Sequence, residues 1–152
     1  MVWRNSMTKR LILAGLMTLL VISVGCRTGD YKYDREIYER MKQILASDPQ
    51  IKDKIAYNED GTPMVTFKKG EMYLNVALGL DEGTRQQVVS RAFELFHEQY
   101  INHPDIKKKD GTYKREKIFI HGFVEDVELY VIEWKLGDPH PNLISDRHGN
   151  FI

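Results

Sequence analysis

The chain has 152 residues and a mass of 17.8 kDa, enough for one domain and too little for two ordinary ones. Lys+Arg and Asp+Glu each number 22, but Arg4, Lys9 and Arg10 fall in the acid-free first 25 residues, leaving 19 basic against 22 acidic side chains; this is no concentrated basic field for general nucleic-acid binding. A 42% hydrophobic and 11% aromatic content argues against a disordered polymer, and the single cysteine, Cys26, excludes an intramolecular disulfide and a cysteine-based structural zinc site.

Met7-Thr8-Lys9-Arg10 is a short basic stretch, followed by an apolar run from Leu11 to Val24 that closes on Gly25-Cys26. Fourteen residues are too few to cross a hydrocarbon layer that takes about 20. Basic flank, apolar middle and small-residue exit are the order of a secretory signal peptide. Met7 would open a compact version of it as the true start, with residues 1–6 an upstream start-site artefact. The segment resembles the bacterial lipoprotein signal peptide, with Ser23-Val24-Gly25-Cys26 in the place of the lipobox and Ser23 where that family prefers an aliphatic residue.

The resemblance implies cleavage before Cys26, a diacylglyceryl group on its thiol and acyl modification of the palmitate type. Two chains suffice for stable anchoring. It also implies a membrane-bound protein on the extracytoplasmic side of a bacterial cell envelope. Residues 1–25 are then the signal peptide and 26–33 the lipidated cysteine with its tether. An α+β domain over 34–137 and an irregular tail over 138–152 complete the chain.

Asp34 is placed to cap a helix, and Ile37, Tyr38, Met41, Ile44 and Leu45 give it one apolar face, up to the stop at Asp48-Pro49. Asp60-Gly61-Thr62 reads as a turn. Met64–Lys69 and Met72–Leu78 read as a hairpin about Lys69-Gly70. A second helix is predicted from a Thr84 cap to Asn102, with Val88, Val89, Ala92, Phe93, Leu95, Phe96 and Tyr100 as its stripe. After the turn Asp110-Gly111-Thr112, strands are expected over Tyr113–Phe123 and Val127–Trp134. The order αββαββ predicts a two-layer sandwich, two helices on a four-stranded antiparallel sheet.

Both halves run helix, Pro-x-Ile-Lys, Asp-Gly-Thr, strand, turn, strand and Leu-Gly. Pro49-Gln50-Ile51-Lys52 matches Pro104-Asp105-Ile106-Lys107, and Leu78-Gly79 matches Leu136-Gly137. The match is either an internal duplication or reuse of common turn residues, and the drifting spacings leave both open.

Catalytic patterns fare poorly. His97-Glu98 lacks the second histidine of a zinc-protease helix, because position 101 is Ile101 and His103 falls six residues on. His140, His148 and Asn150 lack the supporting residues of a His-Asn-His nuclease. Calcium-loop positions are occupied by Ala56, Phe67 and Ile106, and no P-loop, nucleophile elbow or dinucleotide-binding glycine pattern is present. No cofactor is indicated and no catalytic residue is assigned.

Two surfaces remain. Lys107, Lys108, Lys109, Lys114, Arg115 and Lys117 form a basic patch suited to an anionic surface. In the last strand Val127, Leu129 and Val131 are expected to meet the helices. Tyr130, Ile132 and Trp134, with Phe119 and Tyr73, then face away as partner contacts or lie under the C-terminal tail. The functional expectation is an anchored domain that acts by binding an envelope protein or a second copy of itself, as an accessory of an envelope complex. The alternatives are a metal-dependent envelope hydrolase using His97, Glu98 and His103, and a membrane-surface module using the lysine patch.

Overall fold

The computed structural model describes residues 30–146, so the signal segment, Cys26, His148, Asn150 and Phe151-Ile152 lie outside the described residues. Elements follow in the order α1 (Lys32–Ser47), β1 (Val65–Lys68), β2 (Glu71–Asn75), α2 (Glu82–Ile101), β3 (Lys117–Val124), β4 (Val127–Lys135) and β5 (Asn142–Asp146). The α+β class holds. Among the described residues no helix is long and apolar enough to cross a membrane.

The sheet corrects the antiparallel expectation. Its order is β1-β2-β3-β4-β5, and β2 pairs with β3 in parallel while the other neighbours are antiparallel. A parallel pair needs a crossover between its strands. At 20 residues, about 30 Å, α2 is long enough to carry the chain back to the end where β2 began. The fifth strand comes from the segment expected to be irregular. Asn142 to Asp146 pair with Glu133 to Tyr130 and extend the sheet on the β4 side.

Helix starts also differ from expectation. Asp34 lies three residues inside α1, where its carboxylate accepts from the Tyr31 N–H at 2.7 Å. Asp81 rather than Thr84 caps α2; it accepts from the Thr84 N–H at 2.9 Å and from the Thr84 hydroxyl at 2.6 Å.

The two helices are built on one register. Adding 55 to the buried positions of α1, Tyr33, Asp34, Ile37, Tyr38, Met41 and Leu45, gives Val88, Val89, Ala92, Phe93, Phe96 and Tyr100, all buried in α2. Each helix exit is closed in the same way. The Asp48 carboxylate accepts from Gln50 N–H at 2.9 Å, and Nδ1 of its counterpart His103 accepts from Asp105 N–H at 3.2 Å. Each exit also braces the opposite helix, Asp48 to Arg91 at 3.0 Å and His103 to Glu36 at 3.1 Å; Glu36 and Arg91 are again 55 apart.

The two Asp-Gly-Thr turns repeat each other as closely. Asn58 N–H donates to Thr62 O at 2.8 Å and Lys108 N–H to Thr112 O at 2.7 Å. Asp60 and Asp110 each accept from the threonine N–H at 2.9 Å and its hydroxyl at 2.6 Å. Gly61 and Gly111 hold φ of 79° and 85°, the left-handed region that glycine enters without a Cβ clash. The sheet breaks the pattern. A two-fold exchanging the hairpins would join equivalent strands at the centre, whereas β2 joins β3.

Met72 and Leu74 of β2 and Ile118 and Ile120 of β3 are fully buried beneath the helices. Gly122 completes this floor. A Cβ there would come within 2.9 Å of the Val89 side chain, so glycine lets α2 settle onto the strand. Above the floor lies one ion pair. Asp34, wholly buried, accepts from Arg115 Nη2 at 2.6 Å, from Arg115 Nε at 3.2 Å and from the Tyr100 hydroxyl at 2.6 Å.

Candidate functional site

The side chains not spent on the core are on the sheet face opposite the helices. Glu71, Tyr73 and Asn75 alternate with the buried residues of β2, and Lys117, Phe119, His121 and Phe123 with those of β3. Parallel pairing sets Tyr73 beside His121, and their rings stack with centroids 4.5 Å apart and planes 7° from parallel. Phe123 lies 6.4 Å from Tyr73.

Carboxylates frame this stack. Glu128 places Oε2 2.9 Å from His121 Nδ1, and Glu71 places Oε2 3.6 Å from Nε2. The Tyr73 hydroxyl donates to Glu71, and that bond, followed by partial burial, pushes the phenol up to about 12. A phenol held protonated makes a poor nucleophile. What the cluster offers is a flat aromatic surface with an acidic rim.

That surface runs on to a shallow groove of about 350 Å³ lined by Ala56, Met64, Asn75, Val76, Leu78, Glu125 and Asp126. Met64 and Leu78 are 37% and 66% exposed. Among the described residues the buried Asn75 Oδ1 has no donor. Apolar walls and the carboxylates of Glu125 and Asp126 continue the chemistry of the strip.

The sequence-predicted contacts lie elsewhere. Tyr130, Ile132 and Trp134 are 6, 8 and 7% exposed and face the helices, so their assignment as an outer surface is overturned. Ile118 pairs with Trp134, Ile120 with Ile132 and Gly122 with Tyr130, which puts this phase of β4 on the core side of β3. Trp134 packs edge-on to Phe93 and stacks on His97, 3.7 Å between centroids. At the bulge Gly122 pairs with Tyr130 and Phe123 with Glu128, so Leu129 is skipped and also buries, beside Tyr130. Tyr73 and Phe119 do face away.

The lysine patch is divided. Arg115 is withdrawn into its pair with Asp34, and Lys117 pairs with Glu133 at 2.9 Å; Lys107, Lys108, Lys109 and Lys114 stay exposed.

The metal constellation does not assemble. His97 lies under Trp134, and His103 is turned to Glu36 on α1. Among the described residues no group of three or more His, Cys, Asp or Glu is arranged to hold a metal ion. The His97 Nε2 is buried without a partner among the described residues, and burial holds the imidazole below its ordinary value near 6.5. A depressed histidine contributes stability that is complete above that value and is lost as pH falls through it. The melting temperature of His97→Phe should therefore gain on the wild type between pH 7.5 and 5.5. A difference that stays constant across those pH values would refute the effect.

Comparison with protein-family models, with curated proteins and with solved structures finds no match.

Proposed function

We propose that the protein is a lipid-anchored, extracytoplasmic lipoprotein of the bacterial envelope that acts by binding an envelope partner, as an accessory of an envelope complex. The anchor in this reading is Cys26, supported by the basic, apolar and small-residue order of the segment before it. The observation that carries the binding role is the strip of Tyr73, His121 and Phe123, with Phe119 beside it, half-buried on the face that no helix of the described residues covers. A two-layer domain needs only one sheet face buried, and aromatic side chains grouped on the other mark interaction surfaces. Glu71, Glu128, Glu125 and Asp126 around that strip suit a partner segment that is apolar and carries lysine or arginine.

In-cell crosslinking followed by co-purification tests this. Phe119→Lys and Phe123→Ser should abolish a discrete partner while leaving the melting temperature within a few degrees of wild type. Cys26→Ala should release the protein from the membrane fraction. Retention of the partner by both face variants would sink the contact surface. An unchanged mature N-terminus in Cys26→Ala would sink the anchor.

A further inference from the structure

We propose that the end of the domain where the chain enters α1 is a docking surface for anionic phospholipid headgroups. The proposal rests on the anchored reading above and adds what the anchored domain touches. The fold gathers lysines there from three separate stretches. Lys32 opens α1 with its side chain 87% exposed. The Lys68-Lys69 turn is held against the same point, because Asp30 accepts from the Lys69 N–H at 2.6 Å and Arg115 Nη1 donates to the Lys69 carbonyl at 2.5 Å. The Asp-Gly-Thr loop of the second half arrives from the other side. Lys114 places its ammonium 6.0 Å from the centre of the Tyr33 ring and so sets the base of the loop against the first turn of α1, while Lys107 folds back within the loop, 5.2 Å over Tyr113.

Arg115 is the pin of this arrangement. Its guanidinium bonds Asp34 below and lies 5.4 Å from the Tyr31 ring, tying the loop to the first turn of α1. Lys32, Lys68, Lys69, Lys107, Lys108, Lys109 and Lys114 all remain exposed. Five carboxylates stand among these seven lysines as counter-charges, which leaves the patch basic in balance. Asp30 bonds Lys69 N–H and the Tyr38 hydroxyl, Glu36 bonds His103 and lies 3.7 Å from Lys32, and Asp110 bonds Thr112. Asp105 and Glu116 complete the set.

Position makes the patch a membrane surface rather than a solvated loop. Asp30 is four residues from Cys26, at most about 14 Å of extended chain. The lysines around Asp30 are thus confined near the headgroup plane, where an anionic leaflet attracts them and where screening length is about 8 Å at physiological salt. Lys52 and Lys54 follow the far end of α1, about 24 Å along a 16-residue helix, and serve as internal references.

The test uses the full lipidated chain in vesicles of phosphatidylcholine alone or with about one-quarter phosphatidylglycerol. Acetylation of each lysine is followed by mass spectrometry. Lys32, Lys69, Lys107, Lys108, Lys109 and Lys114 should react about threefold or more slowly on the anionic vesicles, and about 0.5 M salt should restore their rates. Lys52 and Lys54 should not change. Equal rates on both vesicles, with the protein floating alongside the lipid, would overturn the docking and leave the anchor standing. Protein that fails to float would overturn the anchor, and the docking with it. The same slowing by inorganic phosphate without vesicles would reassign the surface to a free anion and overturn it as a membrane contact.

Discussion

Asp34→Asn should destabilise the domain by about 3–5 kcal/mol in chemical denaturation, the largest effect expected of any single polar change. The carboxylate is fully buried, and the substitution leaves Arg115, 13% exposed at its side chain, without its counter-charge. Burial works against the charge on Arg115, yet its bonds to Asp34 hold the guanidinium above its ordinary value, so it stays charged in either variant. The Tyr100 hydroxyl and the Tyr31 N–H lose an ionised acceptor at the same time. Arg115→Met should cost a similar amount by stranding the carboxylate. Asp34→Leu combined with Arg115→Met should cost clearly less than the two single losses together, because neither charge is then left alone. A single-variant loss below about 1 kcal/mol would show that water reaches the pair.

Trp134→Ala is the second large effect, about 3–5 kcal/mol, from the cavity left against Phe93 and the lost stack on His97. The indole N–H also loses its bond to the Asp138 carbonyl, 3.0 Å, which fastens the chain just beyond β4. Phe119→Ala, a comparable truncation on the opposite face of the neighbouring strand, should cost less than half as much. The pair of denaturation curves thus reports which face of the sheet is core. Equal losses at the two positions would refute Trp134 as the core-facing residue of the two.

Both helices are legible in the sequence because each has a single apolar stripe, and three- and four-residue spacing admits one orientation. The last long strand is not legible in that way. Val127, Leu129 and Val131 are as apolar as Tyr130, Ile132 and Trp134, so periodicity offers two phases, and only pairing with Ile118 and Ile120 selects one. A strand phase is a property of the pair.

The outer cluster was hidden for a related reason. Tyr73 and His121 meet through a parallel register spanning α2, while Glu71 and Glu128 come from different strands. Arg115 sits among lysines in the sequence, and composition alone gives no ground for separating it from them. Asp34 did carry a sign of its role, a carboxylate on the stripe otherwise formed by Tyr33, Ile37, Tyr38 and Met41. A cap explains only one of its oxygens, which accepts from the Tyr31 N–H; the cation that joins it, Arg115, lies 81 residues away in the chain.

The two helix-exit braces have opposite polarity, and this bears on how copies of the chain meet during folding. Each half presents a helix and an exit of nearly the same shape, so a half from one molecule has a steric match in the like half of another. Hydrogen-bonding polarity separates the choices. Pairing α1 with a second α1 would set Glu36 against Asp48, acid on acid, and pairing α2 with a second α2 would set Arg91 against the Nε2–H of His103, donor on donor. Only α1 with α2 brings acceptor to donor at both ends. Two surfaces alike enough to be confused are thereby made into a lock and its key, and the chain is steered to close upon itself.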